Sequence, residues 1–319
     1  MRGILPLLTL GFASSIAAPA GPPSSSDADV PVVNAVLNNY SFIVPGTPNY
    51  GDYGIAPGAI FAIFGTGMAS PGAQAVLQDS TNGLPLTLNG ASVAVTVAGI
   101  TVYPALYYAT ATQIAAVLPS NTPLGNAVAT VTYNGSPSAP APFQVVASAL
   151  GLATMSGDGT GEVIATDANY NLITPSRSAE TSQIITLWGS GLGADLAESD
   201  TAYRAPNQIT NIPLMVYVDS SSLQVVWAGR SGYPGLDQIN VQLPEQSAPG
   251  WEQVFSGGCL AQLIAVSGLN SVPSNSVTLP LSPTGGACPP FTAMLSPYGR
   301  IAGPGGMAEP IQAAENSFR

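Results

Sequence analysis

The sequence predicts an all-β chain of two tandem β-sandwich domains. Three observations carry this: a composition that disfavours helices, short period-two runs separated by turn residues, and an internal repeat. Charged residues make up only 7% of the 319, Lys is absent, and Gly and Pro number 35 and 30. Helices draw on Glu, Lys and Arg, whereas Val, Thr, Ile and Tyr between Gly, Pro and Asn clusters suit short strands and tight turns. The hydrophobic fraction of 46% is enough to fill large cores.

The repeat is the firmest of the three. Ile60-Phe61-Ala62-Ile63-Phe64-Gly65-Thr66-Gly67-Met68 matches Ile184-Ile185-Thr186-Leu187-Trp188-Gly189-Ser190-Gly191-Leu192. Val93 to Val97 matches Leu214 to Val218, and Gln113 to Pro119 matches Gln238 to Pro244. Leu124-Gly125 matches Pro249-Gly250. The offsets stay between 121 and 125 across all the blocks, so one domain plan occurs twice.

Each block reads as a strand. Val93 to Val97 places β-branched residues at period two. Tyr103 to Tyr108 is a further strand, with Pro104 marking an edge or a bulge. Gln113–Leu118, Ala127–Tyr133 and Phe143–Val146 follow. Asn89-Gly90 and Asn134-Gly135 mark hairpin turns. The second copy closes with Gln262–Val266 and Val277–Leu281.

Residues 1–20 read as a signal peptide: Met1-Arg2 supplies the charge, an apolar run follows, and Ala17, Ala18 and Ala20 offer small residues for cleavage. Residues 21–30 read as a mobile leader. The two domains are expected at 31–147 and 148–290, and a weakly ordered Pro- and Gly-rich tail at 291–319. The mature chain is then expected to be secreted or held at the cell surface, with no membrane span. Cys259 and Cys288, the two cysteines, are expected to form a disulfide in that compartment.

The repeat also carries a resemblance. In the first copy it lies in Ile55-Ala56-Pro57-Gly58-Ala59-Ile60, Phe64-Gly65-Thr66-Gly67-Met68-Ala69, the strand at Val93, Leu106 to Ile114 and Leu118-Pro119; in the second, Gly157 to Gly161, Asp167 to Asn171, Trp188 to Gly193 and the Gly258-Cys259 to Gly286-Ala287-Cys288 end fit the same pattern. Over residues 31–290 this resembles the C-terminal domain found in many exported proteins of acidobacteria. That family has no known activity and is itself similar to IPT/TIG immunoglobulin-like domains. The resemblance implies two immunoglobulin-like sandwiches, an exported location and no catalytic residues.

Residue chemistry narrows the function. With no His and no Lys, Ser-His-Asp, Cys-His and Ser-Lys nucleophilic machinery is excluded. The chain is expected not to be an enzyme, with a carboxylate-based glycoside hydrolase as the remaining catalytic alternative. The net charge of -11 leaves no basic face for nucleic acid. Gly65-x-Gly67 and Gly189-x-Gly191 follow strands but lack the third Gly of a dinucleotide site, so they are read as tight structural turns and no cofactor is expected. Asp195, Glu198 and Asp200 are weak calcium candidates, more simply a solvated acidic loop. Asp167 to Asn171 reads as a hairpin turn. Trp188 stands where Phe64 stands in the first copy and is expected in the core. Tyr107, Tyr108, Trp227, Tyr233 and Trp251 are the aromatics that could face a ligand. The expected role is a structural, adhesive or partner-binding surface protein, its partner an unidentified protein or polysaccharide, with aromatic polysaccharide binding as the alternative.

Overall fold

The computed structural model describes residues 30–288, apart from Asp52, Leu196, Gly250, Glu252, Gln253 and residues 255–258. The expected signal peptide, almost all of the leader and the tail from 291 lie outside the described residues. The described chain is all-β, built of antiparallel strand pairs in several sheets. Among the described residues no helix is long and apolar enough to cross a membrane.

In the first half one sheet runs in the order β1 (Val32–Asn38), β2 (Ile60–Thr66), β7 (Gln113–Val117), β6 (Ala105–Ala109). The second runs β10 (Ala141–Val145), β8 (Gly125–Tyr133), β4 (Ala91–Val97), β3 (Thr87–Leu88), with β5 (Ile100–Val102) on β4 and β9 (Ser136–Pro137) on β8. Alternation along β4 sends Ala91, Val93, Val95 and Val97 inward and leaves the residues between them partly solvated, the signature of a sheet with one buried face. These residues meet Phe61, Ile63, Leu106 and Ile114 of the first sheet in one core. Phe61 stacks on Phe143 across it, with ring centroids 6.4 Å apart. Asn89 and Asn134, each at positive φ before a Gly at positive φ, make the two hairpin turns.

The second half builds a separate core around Leu150, Ile185, Leu187, Val216, Ile239, Val241, Leu263 and Trp251. Its main sheet is continuous: β11 (Gly151–Leu152), β14 (Ile184–Ser190), β18 (Asp237–Gln242), β17 (Ser221–Arg230), β16 (Leu214–Val218), β19 (Leu260–Ser267), β20 (Val272–Pro273). β12 (Ala165–Thr166) adds to β14, β15 (Asn207–Gln208) to β17, and β21 (Val277–Pro280) to β19. β13 (Ser178–Glu180) pairs with β22 (Thr284–Gly286), so a short strand forms where the sequence showed no strand period. Just beyond it, Cys288 is bonded to Cys259, with their Cα atoms 5.5 Å apart.

Three of the repeated blocks occupy equivalent strands, while Pro249, unlike Leu124-Gly125 at the start of β8, lies in a turn outside any strand. β2 pairs with β7 through Ile63↔Ile114, and β14 with β18 through Leu187↔Ile239. The halves differ at one junction. β17 pairs with β16 through Ser221–Leu223 and with β18 from Gln224 to Arg230, so one strand belongs to both layers. In the first half the same passage is cut into β5 and β6 by Tyr103 and Pro104. Pro104 has no N–H to give to a ladder. Both halves keep a bulge at the next step, between Leu106 and Tyr108 and between Val225 and Trp227.

The paired glycines correct the expectation of simple turns. Gly65 and Gly189 lie inside strands, where a Cβ would stand 2.0 Å from the Val32 carbonyl oxygen and 2.3 Å from that of Gly151. They let the edge strand approach closely. Gly67 and Gly191 supply the positive φ that follows.

Candidate functional site

The two halves meet along a hydrogen-bonded seam. Asn38, fully buried, donates from Nδ2 to the carbonyls of Ala149 (3.1 Å) and Ser190 (2.8 Å). Its Oδ1 accepts from the backbone N–H groups of Tyr40 and Ser41. The Ser190 hydroxyl accepts from Ile60 N–H at 2.7 Å and donates to the Gly235 carbonyl at 2.6 Å. Leu84 N–H donates to the Thr201 carbonyl and Tyr203 N–H to that of Ser80.

Against the seam, where Gly58 of the first half packs on Arg230 and Glu198, the buried Arg230 guanidinium bonds Glu198 and Asp237 of its own half and donates to the Gly193 carbonyl at 3.0 Å. Asp237 also accepts from Leu192 N–H, and Asp200 accepts from the amide and hydroxyl of Ser120. Burial pushes the carboxyls of Asp237, Glu198 and Asp200 above the usual carboxylate range, since three acids share one guanidinium away from water. The acidic group is therefore not the solvated loop expected of it, since the Glu198 side chain is buried and Asp195 and Asp200 are partly so. Glu198 is committed to Arg230 and Asp200 to Ser120, while Asp195 caps its own turn through Ala197 N–H. Among the described residues no cluster of His, Cys, Asp or Glu could hold a metal ion.

Beside this seam lies a groove made of two adjoining hollows. The larger, of about 630 Å³, is lined by Tyr40, Tyr170, Trp188, Tyr203, Ser231, Tyr233 and Gln238, among others. The smaller, of about 290 Å³, is lined by Asn39, Tyr40, Leu77, Tyr107, Tyr108 and Tyr233, among others. Tyr40, Tyr233 and Leu236 belong to both, so the hollows form one path across the two halves.

Local structure sets each ring. Tyr233 sits on the β17–β18 connection, half exposed, with its ring centroid 5.1 Å from that of Tyr203. The Tyr107 hydroxyl, on the bulge of β6, crosses the seam to donate to the Pro234 carbonyl at 2.8 Å. Tyr40 is held by Asn38, and burial pushes its phenol up to about 12. Tyr170 is 70% exposed and carries a φ of 61°, an unfavourable conformation for a bulky side chain. Asp167 imposes it by accepting from the N–H groups of Asn169 and Asn171 and from Arg177, which turns Tyr170 over Trp188 at 6.4 Å. The hairpin turn read at Asp167–Asn171 is therefore the mount of an exposed ring.

Of the aromatics singled out from sequence, Tyr107, Tyr108 and Tyr233 come together in the groove. Trp251 is 2% exposed in the core of the second half, and the half-buried Trp227 lines neither hollow. Trp188 lines the groove instead of filling the core, its Nε1 donating to Thr166. Tyr40, Tyr170 and Tyr203 are groove residues that the sequence reading missed.

No family model matches the sequence, and no curated protein does. Solved structures give low-identity likenesses. The γ-CGTase of alkalophilic Bacillus clarkii is 13% identical over 82% of this chain and 27% of its own, with a TM-score of 0.22. The Bacteroides ovatus SGBP-B of a mixed-linkage glucan utilization locus is 10% identical over 73% of this chain and 43% of its own, with a TM-score of 0.29. Domains 5–6 of the S-layer protein SbsC are 16% identical over 80% of this chain and 99% of theirs, with a TM-score of 0.22. The chain spans less than half the length of the first two. TM-scores this low decide nothing about function.

Proposed function

We propose that the chain is an exported, non-catalytic surface protein of two immunoglobulin-like, IPT/TIG-like domains that binds a neutral polysaccharide along the groove at their junction. The single observation behind this is the convergence of Tyr40, Tyr107, Tyr108, Tyr170, Trp188, Tyr203 and Tyr233 on one open path. Each sugar ring has a C–H face that stacks on an aromatic ring, and tyrosine adds a polar end for hydroxyls. A spacer or scaffold has no use for Tyr170 in a strained, exposed position.

The lining supports the non-catalytic reading. Among the described residues, neither hollow is lined by Asp or Glu, so a glycosidase pair is missing where the sugar would lie. Glu198 and Asp237 are enclosed with Arg230. An excess of acid over base favours a neutral over an anionic chain. The Cys259–Cys288 disulfide supports an oxidising, extracytoplasmic setting, as does the resemblance to exported domains.

Affinity electrophoresis through gels containing dissolved neutral polysaccharides tests the proposal. We expect one of them to retard the protein, and Tyr233→Ala to weaken that retardation at least about ten-fold, the scale of a lost aromatic anchor. Unretarded migration in every gel would overturn it.

A further inference from the structure

Among the described residues, two buried side-chain polar atoms have no hydrogen-bond partner in the protein: Asn39 Oδ1 and Ser231 Oγ. Other buried polar groups are paired, often several times over. Asn275 bonds the amide and carbonyl of Leu152 and the carbonyl of Gly159, and Ser148 bonds Ser267 at 2.7 Å. An unpaired buried oxygen destabilises the fold, so each exception calls for a reason. Both lie in the groove: Asn39 lines the smaller hollow and Ser231 the larger. Between them stands Tyr233, common to both hollows.

We infer that Asn39 and Ser231 are the specificity-determining polar contacts of the groove, taking hydroxyl groups from one linear neutral glycan that crosses Tyr233 from hollow to hollow. This rests on the polysaccharide-binding reading above and adds the form of the ligand. Asn39 Oδ1 only accepts, so it meets a hydroxyl donor; the Ser231 hydroxyl does either. The ligand must be long enough to fill both hollows, so single sugars and disaccharides bind weakly. It is also uncharged, because among the described residues no charged one lines either hollow.

Calorimetric titration with mono- to octasaccharides cut from the retained polysaccharide is the test, on the wild type, Ser231→Ala and Asn39→Ala. Affinity is expected to rise past the disaccharide and then level off. Each variant is expected to lose about five-fold in affinity, the scale of one neutral hydrogen bond. The melting temperature of Ser231→Ala should hold or rise, since the substitution removes an unpaired buried hydroxyl. A merely structural Ser231 gives the reverse: a lower melting temperature with affinity unchanged. A plateau already at the disaccharide, or variants that bind like wild type, overturns this inference and leaves the polysaccharide reading standing. Failure of every polysaccharide to bind removes both.

Discussion

The seam between the halves and the groove beside it are made of neighbouring residues and obey opposite rules. In the seam, Arg230, Glu198 and Asp237 are at most 3% exposed, and each makes at least one charge-assisted bond. In the groove, Tyr170, Tyr233 and Tyr203 are 70%, 52% and 46% exposed, and one buried polar atom each of the lining residues Asn39 and Ser231 stands unpaired. Arg230 and Ser231 are consecutive, yet one belongs to each. The chain spends its pairing where the halves must stay together and withholds it where a ligand would complete it.

The comparison breaks if seam and groove variants behave alike. Arg230→Met leaves two buried carboxylates without a counter-charge and should cost about 3–5 kcal/mol, measured by urea unfolding. Replacing Arg230, Glu198 and Asp237 together by apolar residues of similar volume should recover most of that loss. A small effect of Arg230→Met alone would mean that the seam is wetter than it looks. Next, Cys288→Ser should cost about 2–4 kcal/mol, because it frees the end of the second half. Tyr170→Gly should leave stability within about 1 kcal/mol, as relief at the positive φ offsets the lost ring contact. The same variant should weaken retardation in the polysaccharide gel; unchanged retardation would remove Tyr170 from the site.

The smallest effect is in pH. Buried Glu198, Asp200 and Asp237 are held above the usual carboxylate range, so the folded state binds more protons than the unfolded one there. Their contribution to stability is complete below about pH 4 and falls as pH rises through the raised values. Asp79 and Asp158 on the surface and Asp167 beneath its turn are lowered by hydrogen bonds and act the other way, losing their contribution as pH falls. Melting curves from pH 4 to 7 should show a downward component that Asp200→Asn reduces. An unaltered slope in that variant would show that Asp200 does not carry it.

Much of the fold could be read from residues, because strand period and Asn-Gly turns are local signals. β4, β8, β18 and β21 start and end within a few residues of the apolar runs that predicted them. The placement of Trp188 was also within reach. Neighbours on a strand face opposite ways, so Leu187 in the core sends Trp188 outward. Trp251 lies in a helical turn outside any strand, where period two says nothing. Tyr40 and Tyr203 were beyond reach for a different reason. They sit on connections whose positions depend on the seam, where Asn38 meets Ser190 and Tyr203 meets Ser80, contacts between residues far apart in the chain.

The uncut passage of β17 has a consequence for how the molecule opens. A strand shared by two layers makes them one cooperative unit, so the amides of β16, β17 and β18 should exchange with solvent together, on a single time course. The break at Pro104 divides the equivalent passage of the first half. There β5 and β6 can detach separately, each with the layer it belongs to, and two exchange regimes should appear where the second half has one.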